Sequence, residues 1–174
     1  MPGWRKMCLI AGIAIAWAFG AAGLADAAGD ETDIPKVVFF GFQLVNTSLE
    51  PTTPAEVGRI NMLDGLFREQ LDHSGRFKIV AIPPGLQRQI AAGAEISGCN
   101  GCERSFAKTA GGDWAAWGTV QKVSDLILNV NVYMEEADSG KMVFVKSVDI
   151  RGNTDESWRR GLDYLLQNYL LRRR

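Results

Sequence analysis

Three strand-like segments follow one another closely in the second half of the chain, and they restrict the fold more than any other feature of the sequence. They are DWAAWGTVQKV (113–123), DLILNVNVYMEE (125–136) and KMVFVKSVDIRG (141–152). Ser124 separates the first two, and the turn-like stretch ADSG separates the last two. Connections this short join antiparallel neighbours, so the sequence predicts an antiparallel meander.

The middle segment alternates between apolar and polar positions. Its apolar residues on one parity are Leu126, Leu128, Val130, Val132 and Met134. Asn129 and Asn131 occupy the other parity, so one face of this strand is predicted to be core and the other polar. On a neighbouring strand, Trp117, Thr119 and Gln121 would lie beside these asparagines. These five residues form a candidate protein-recognition surface with Trp117 as its anchor. The alternatives are an ordinary solvated sheet face and a face covered by a helix.

The first half of the mature chain predicts a parallel β-α-β unit. KVVFFGFQLV (36–45) is typical of a buried strand. Thr53 to Glu56 form a capping box that begins a helix with an apolar face, and Ser74-Gly75 ends it. RFKIVAI (76–82) predicts the second strand.

Three further helical regions complete the order. GLQRQIAAGAEI (85–96) predicts a second helix, and CERSFAKTAGG (102–112) adds one short helical segment. A capped final helix follows residue 153, with an apolar stripe of Trp158, Leu162, Leu165, Leu166, Tyr169 and Leu170. The order β-α-β-α-β-β-β-α predicts a single α/β domain over residues 36–174, with helices packed on a mixed sheet of about five strands.

The amino terminus is typical of an exported protein. Arg5 and Lys6 precede an apolar run from Met7 to Leu24, and Ala25-Asp26-Ala27 fits a cleavage site. We therefore expect a signal peptide over residues 1–27 and a flexible linker over 28–35, with an uncleaved anchor as the alternative. This predicts a periplasmic location and only transient membrane contact, through the signal segment. The net charge of −1 gives no general attraction to nucleic acid.

Cys99 and Cys102 form a CxxC pair, and an exported pair of thiols is expected to be a disulfide. Haem attachment is excluded because Glu103 stands where the motif needs histidine. A tetrahedral metal site would have only these two thiolates and His73 before ordinary carboxylates, so no metal or cofactor is predicted. Thiol exchange stays open, since a CxxC pair at a helix start favours the thiolate. However, a thioredoxin-like fold would place the pair directly after a strand.

Several segments also resemble known families. KVVFFGFQLVNTS, LFREQLDHSGRFKIVA, FAKTAGGDWAAWGTVQKV and the DSGK turn resemble the amino-terminal domain of TolB, and more loosely the periplasmic part of CsgG-like secretion proteins. CNGCE, GTVQKVSDLILNVNVY and DIRGNTDESWRRGL resemble a family of small exported Gram-negative proteins known only as a domain of unknown function. The first resemblance implies a TolB amino-terminal-like fold, and the second implies no catalytic residue.

The residues and the resemblances together predict a non-enzymatic periplasmic domain that binds another periplasmic or envelope protein. The alternative is an accessory factor of a periplasmic quinoprotein-type oxidation system, acting as a ligand carrier or by thiol exchange. A small-molecule ligand on the sheet face also stays open.

Overall fold

The computed structural model describes Met1 and residues 34–172. The predicted signal peptide (1–27), apart from Met1, and most of the predicted linker (28–35) lie outside these residues. The elements are β1 (Lys36–Asn46), α1 (Pro54–His73), β2 (Lys78–Ile79), α2 (Pro84–Ala92), a 3₁₀ turn (Ile96–Gly98), α3 (Cys102–Thr109), β3 (Trp114–Ser124), β4 (Ile127–Glu136), β5 (Met142–Ile150) and α4 (Asp155–Leu165), which continues as a π-helical turn (Leu166–Leu170). Among the helices of this described part, none is long and apolar enough to cross a membrane.

The sheet has five strands in the order β2-β1-β3-β4-β5. β1 runs parallel to both β2 and β3, whereas β3, β4 and β5 are antiparallel neighbours. The predicted mixed sheet, parallel unit and meander are therefore confirmed. β1 bulges at Gly41 (φ +95°), and the Phe42 amide there donates to Asp64 Oδ1 at 2.7 Å.

The main core lies between one face of the sheet and helices α1 and α4. Phe39, Phe67 and Trp158 are fully buried there. The predicted capping box begins α1: Thr53 Oγ1 accepts from the Glu56 amide, and Glu56 Oε2 accepts from the Thr53 amide. Capping of this kind satisfies amides that the first turn leaves free, so it fixes where the helix starts.

Three local predictions are wrong. β2 covers Lys78–Ile79 and not 76–82, because the chain turns toward Pro83 and Pro84, which carry no amide hydrogen for a strand ladder. Leu126 lies in the β3–β4 turn and is 74% exposed, so it is not a core residue. Tyr169 is 42% exposed, because a π-helical turn advances less per residue than an α-helix and moves the side chain off the buried stripe.

A second, smaller apolar cluster lies on the opposite face of the sheet. Its buried members are Val38, Ala107, Ala115 and Ala137. α3 and the 3₁₀ turn cover β3 there, and Phe40 and Trp117 pack against the cluster. α3 therefore covers only one end of this face, and the other end carries the side chains predicted to form a recognition surface.

Candidate functional site

The sheet face opposite α1 and α4 presents two rows of side chains that run across four strands. The strand pairings align Gln43, Thr119, Asn131 and Ser147 in one row, and Val45, Gln121, Asn129 and Asp149 in the next. We call the seven polar residues of these rows the polar face. All four polar side chains of the predicted surface lie on it, as directly opposed pairs of β3 and β4.

Hydrogen bonds hold the centre of the polar face in place. Asn131 Nδ2 donates to Thr119 Oγ1 at 3.0 Å and to Asn129 Oδ1 at 2.7 Å. At the covered end, the Ser97 amide donates to Gln43 Oε1 at 3.2 Å. Toward β5 the face is open, because Ser147 and Asp149 are exposed. The face is thus an ordered array of amide and hydroxyl groups.

Trp117 lies next to the polar face, but it is not a free anchor. Its ring stacks on Tyr133 of β4, with centroids 5.3 Å apart and an interplanar angle of 13°. The ring is half-buried because it also packs against the small apolar cluster under α3. The stacked pair therefore presents a fixed aromatic edge between the covered and open parts of the face.

Exposed apolar side chains flank the polar face near the end of β1 and at the β3–β4 turn. Val45 is 37% exposed, Val123 is 47% exposed and Ile127 is 61% exposed. Exposed apolar groups beside ordered polar groups are a common composition for protein-binding surfaces.

The structure places the sulfur atoms of Cys99 and Cys102 at disulfide distance, 1.92 Å. The two intervening residues, Asn100 and Gly101, have φ values of +56° and +109°, a left-handed turn that these residue types tolerate. Cys102 is the first residue of α3. Both cysteines are half-buried.

A buried carboxyl group, that of Glu103, lies against the disulfide, and a second, that of Glu135, is its neighbour. Glu103 is 7% exposed and Glu135 is 6% exposed. Glu103 Oε2 lies 3.0 Å from Cys99 Sγ and accepts the Gly101 amide at 3.1 Å. Burial and the neighbouring Glu103 carboxyl group raise the pKa of Glu135 to about 7, and the charge of Arg104 opposes this shift.

A metal site is a further possibility to test at the disulfide. The side-chain ligand atoms of Cys99, Cys102 and Glu103 lie within 4.8 Å of one another, and all three residue types can bind metal ions. The two sulfurs are bonded to each other, and His73 lies apart from them at the end of α1. The donor set therefore does not fit a tetrahedral metal ion.

At the opposite end of β3, Lys122 is buried against three carboxylates. Its Nζ lies 2.8 Å from Glu56, 2.9 Å from Asp125 and 3.3 Å from Glu50. The amide of Asn153 also donates to Glu56, at 2.7 Å. This satisfied network joins the start of α1 to two loops, so it stabilises the fold and offers no free reactive group.

The alternation that identified Asn129 and Asn131 continues to Tyr133 and Glu135, which the sequence analysis left out. Both lie on the same side of β4 as the asparagines. Extending the same parity to the end of the strand would have found them. In the sequence, Glu103 stands where a haem-attachment motif has histidine. Nothing local in the sequence indicates that it lies against β4.

A family model matches residues 35–170 of the chain. It is DUF3280, described as "Protein of unknown function (DUF2380)". The match confirms the resemblance to a family known only as a domain of unknown function. No curated protein matches the sequence.

Comparison with solved structures gives matches at low sequence identity. The LpoB carboxy-terminal domain from Salmonella enterica has a TM-score of 0.51 and 10% identity, over 68% of this chain and 83% of that one. Lipoprotein GNA1162 from Neisseria meningitidis has a TM-score of 0.46 and 12% identity, over 70% and 83%. TolB from Acinetobacter baumannii has a TM-score of 0.40 and 13% identity, over 77% of this chain and 28% of that one. The similarity to the LpoB domain concerns the fold alone.

Proposed function

We propose that this chain, which belongs to the DUF3280 family of proteins of unknown function, is an exported, periplasmic domain. It binds another protein through its polar face. The observation that carries the proposal is the ordered array of polar side chains on a sheet face that α3 covers only at one end. The signal-peptide pattern of residues 1–27 supports the periplasmic location.

Preorganisation favours recognition over simple solvation. The Asn131 amide already holds Thr119 and Asn129 in place, so a partner would not need to order these groups on binding. Tyr133 and Trp117 supply a rigid aromatic edge, and Ile127 supplies exposed apolar area. Such a surface fits a folded protein with complementary hydrogen-bonding groups around a small apolar centre.

The test is a crosslinked pull-down from the native cell envelope with a tagged full-length chain. The variant Asn129→Arg/Ser147→Arg places two bulky charges on the polar face without altering the core. The control, Asn61→Arg/Gln167→Arg, places the same charges at exposed positions of α1 and of the turn after α4.

We expect one prominent protein to be captured by the wild type and the control but not by the polar-face variant. Equal capture by all three proteins would contradict the proposal. The identity of the captured protein also tests the alternative role, because an accessory factor of a quinoprotein-type system should capture the oxidase of that system.

A further inference from the structure

We propose that Cys99, Cys102, Glu103 and Glu135 form a thiol–disulfide exchange site for exported client proteins that carry two neighbouring thiols. The site is independent of the polar-face proposal, because it depends on different residues. Its basis is the placement of a half-buried disulfide against the buried carboxyl group of Glu103, which has the buried Glu135 as its neighbour.

The two cysteines have different surroundings. Cys102 begins α3, where the free amides and the positive end of the helix dipole stabilise a thiolate. Cys99 instead faces a carboxyl oxygen of Glu103 at 3.0 Å. In the reduced pair, Cys102 is therefore suited to be the thiolate and Cys99 to be the thiol that donates a hydrogen bond to Glu103.

Glu135 gives the Glu103 carboxyl group a partner with which to share a proton. One of its oxygens, Oε1, is buried and has no hydrogen-bond partner among the described residues. Burial and the neighbouring Glu103 raise the pKa of Glu135 to about 7, so Glu135 holds a proton near neutral pH. A structural disulfide alone needs no such pair.

We call Glu103 and Glu135 the acid pair. Other charged groups near the acid pair come from α3 and from the β4–β5 turn. Arg104 of α3 is the cation whose charge acts on Glu135. Lys108 of α3 is already paired with the exposed Asp138 of the turn, at 2.8 Å. The acid pair therefore faces one partly compensating cation, Arg104.

Oxidation of a client dithiol by the Cys99–Cys102 disulfide takes two thiolate attacks. In the first, a client thiolate attacks Cys102 Sγ and forms a mixed disulfide, and the electron pair of the broken bond leaves on Cys99 Sγ, which takes the Glu135 proton by way of the Glu103 carboxylate. The second client thiolate attacks the client sulfur of the mixed disulfide, and Cys102 leaves as a thiolate. The client dithiol loses two electrons and becomes a disulfide, while the Cys99–Cys102 pair gains them. The two client thiols release two protons. One returns to the acid pair, and the other goes to the solvent.

The first test measures reduction of the oxidised wild-type protein by dithiothreitol between pH 5.5 and 8.5, with each rate divided by the dithiothreitol thiolate concentration. We expect this corrected rate to fall as pH rises through about 7, where Glu135 loses its proton. Glu103→Gln should be at least about tenfold slower at pH 6, because proton transfer to the leaving sulfur is lost. The control Glu136→Gln, the next residue on β4, should react like the wild type.

A corrected rate that does not change with pH, or an unchanged rate in a folded Glu103→Gln protein, would overturn the proposal. The second test compares single-cysteine proteins by alkylation with iodoacetamide at pH 7. Cys99→Ser, which leaves Cys102 free, should react about tenfold faster than Cys102→Ser. The reverse order, or equal rates, would also overturn it.

Discussion

Replacing Glu56 with glutamine should destabilise the domain more than any ordinary surface change. Glu56 is fully buried in the first turn of α1. Its carboxylate accepts from Lys122 Nζ at 2.8 Å, from Asn153 Nδ2 at 2.7 Å and from the Thr53 amide at 2.7 Å. Glutamine has the same shape, but it is neutral and has one acceptor oxygen in place of two.

The size of the effect follows from these contacts. Both carboxylate oxygens of Glu56 accept hydrogen bonds from donors. In glutamine an NH2 group replaces one of these oxygens, so it must face a donor that the carboxylate now satisfies. A hydrogen bond to a charged group contributes about 1.5–3 kcal/mol, and an unsatisfied buried donor costs about 1–3 kcal/mol. Because Lys122 keeps Asp125 and Glu50, the lysine stays paired. We expect the free energy of unfolding at pH 7 to fall by about 2–4 kcal/mol.

The pH dependence gives a second signature. Burial alone would raise the pKa of Glu56, but hydrogen bonds from Lys122, Thr53 and Asn153 lower it from 4.5 to about 2. A carboxyl group with a lower pKa in the folded state stabilises the fold above its unfolded pKa. Its contribution is lost as pH falls from about 4.5 toward 2. The difference between wild type and variant should therefore shrink across that window.

Urea unfolding followed by tryptophan fluorescence measures both effects, since Trp158 is fully buried near the network. Glu69→Gln, an exposed position on the same helix, is the matched control and should change little. A loss below about 0.5 kcal/mol at pH 7, the usual size of a surface substitution, would refute the reasoning. So would a difference that stays constant between pH 5 and pH 3.

Three other perturbations should have measurable effects. The pKa of Glu135 is raised in the folded state to about 7, so the melting temperature should fall as pH rises from 5 to 8, and Glu135→Gln should remove most of that fall. Gly118→Ala would place a Cβ 2.1 Å from the Phe42 ring, so it should destabilise by about 1–3 kcal/mol in urea unfolding. Removing the disulfide with Cys99→Ser/Cys102→Ser should cost about 2 kcal/mol, and an unchanged melting temperature would contradict a stabilising role.

The meander could be predicted because its signals are local. Alternation with a period of two sets which residues of β4 face the core, and the short links force antiparallel pairing. The same rule put Thr119 and Gln121 on one side of the sheet with Asn129 and Asn131, and the structure pairs them directly. β2 could not be bounded in this way, because a short edge strand depends on its pairing with β1 and not on its own pattern.

The acid pair could not be predicted, because it depends on how α3 docks. A glutamate at the end of a strand, such as Glu135, is ordinarily solvated, and its burial here requires Glu103 to lie against it. Those two residues are 32 positions apart, and no sequence pattern joins them. The CxxC motif indicated the disulfide, but only the docking of α3 on the sheet brings Glu103 and Glu135 together near it.

Small residues explain why the covered and open parts of this sheet face coexist. Ala107 of α3 meets Ala115 of β3 and Ala137 in one buried cluster, so the helix lies close to the sheet and brings Glu103 onto Glu135. With eight residues, α3 spans about 12 Å, whereas the eleven residues of β3 extend about 36 Å. Even laid along the strand, α3 would cover about a third of it. Close packing of α3 on the sheet therefore forms the acid pair. Because the helix is short, it leaves Gln121 and its opposite residue Asn129 uncovered.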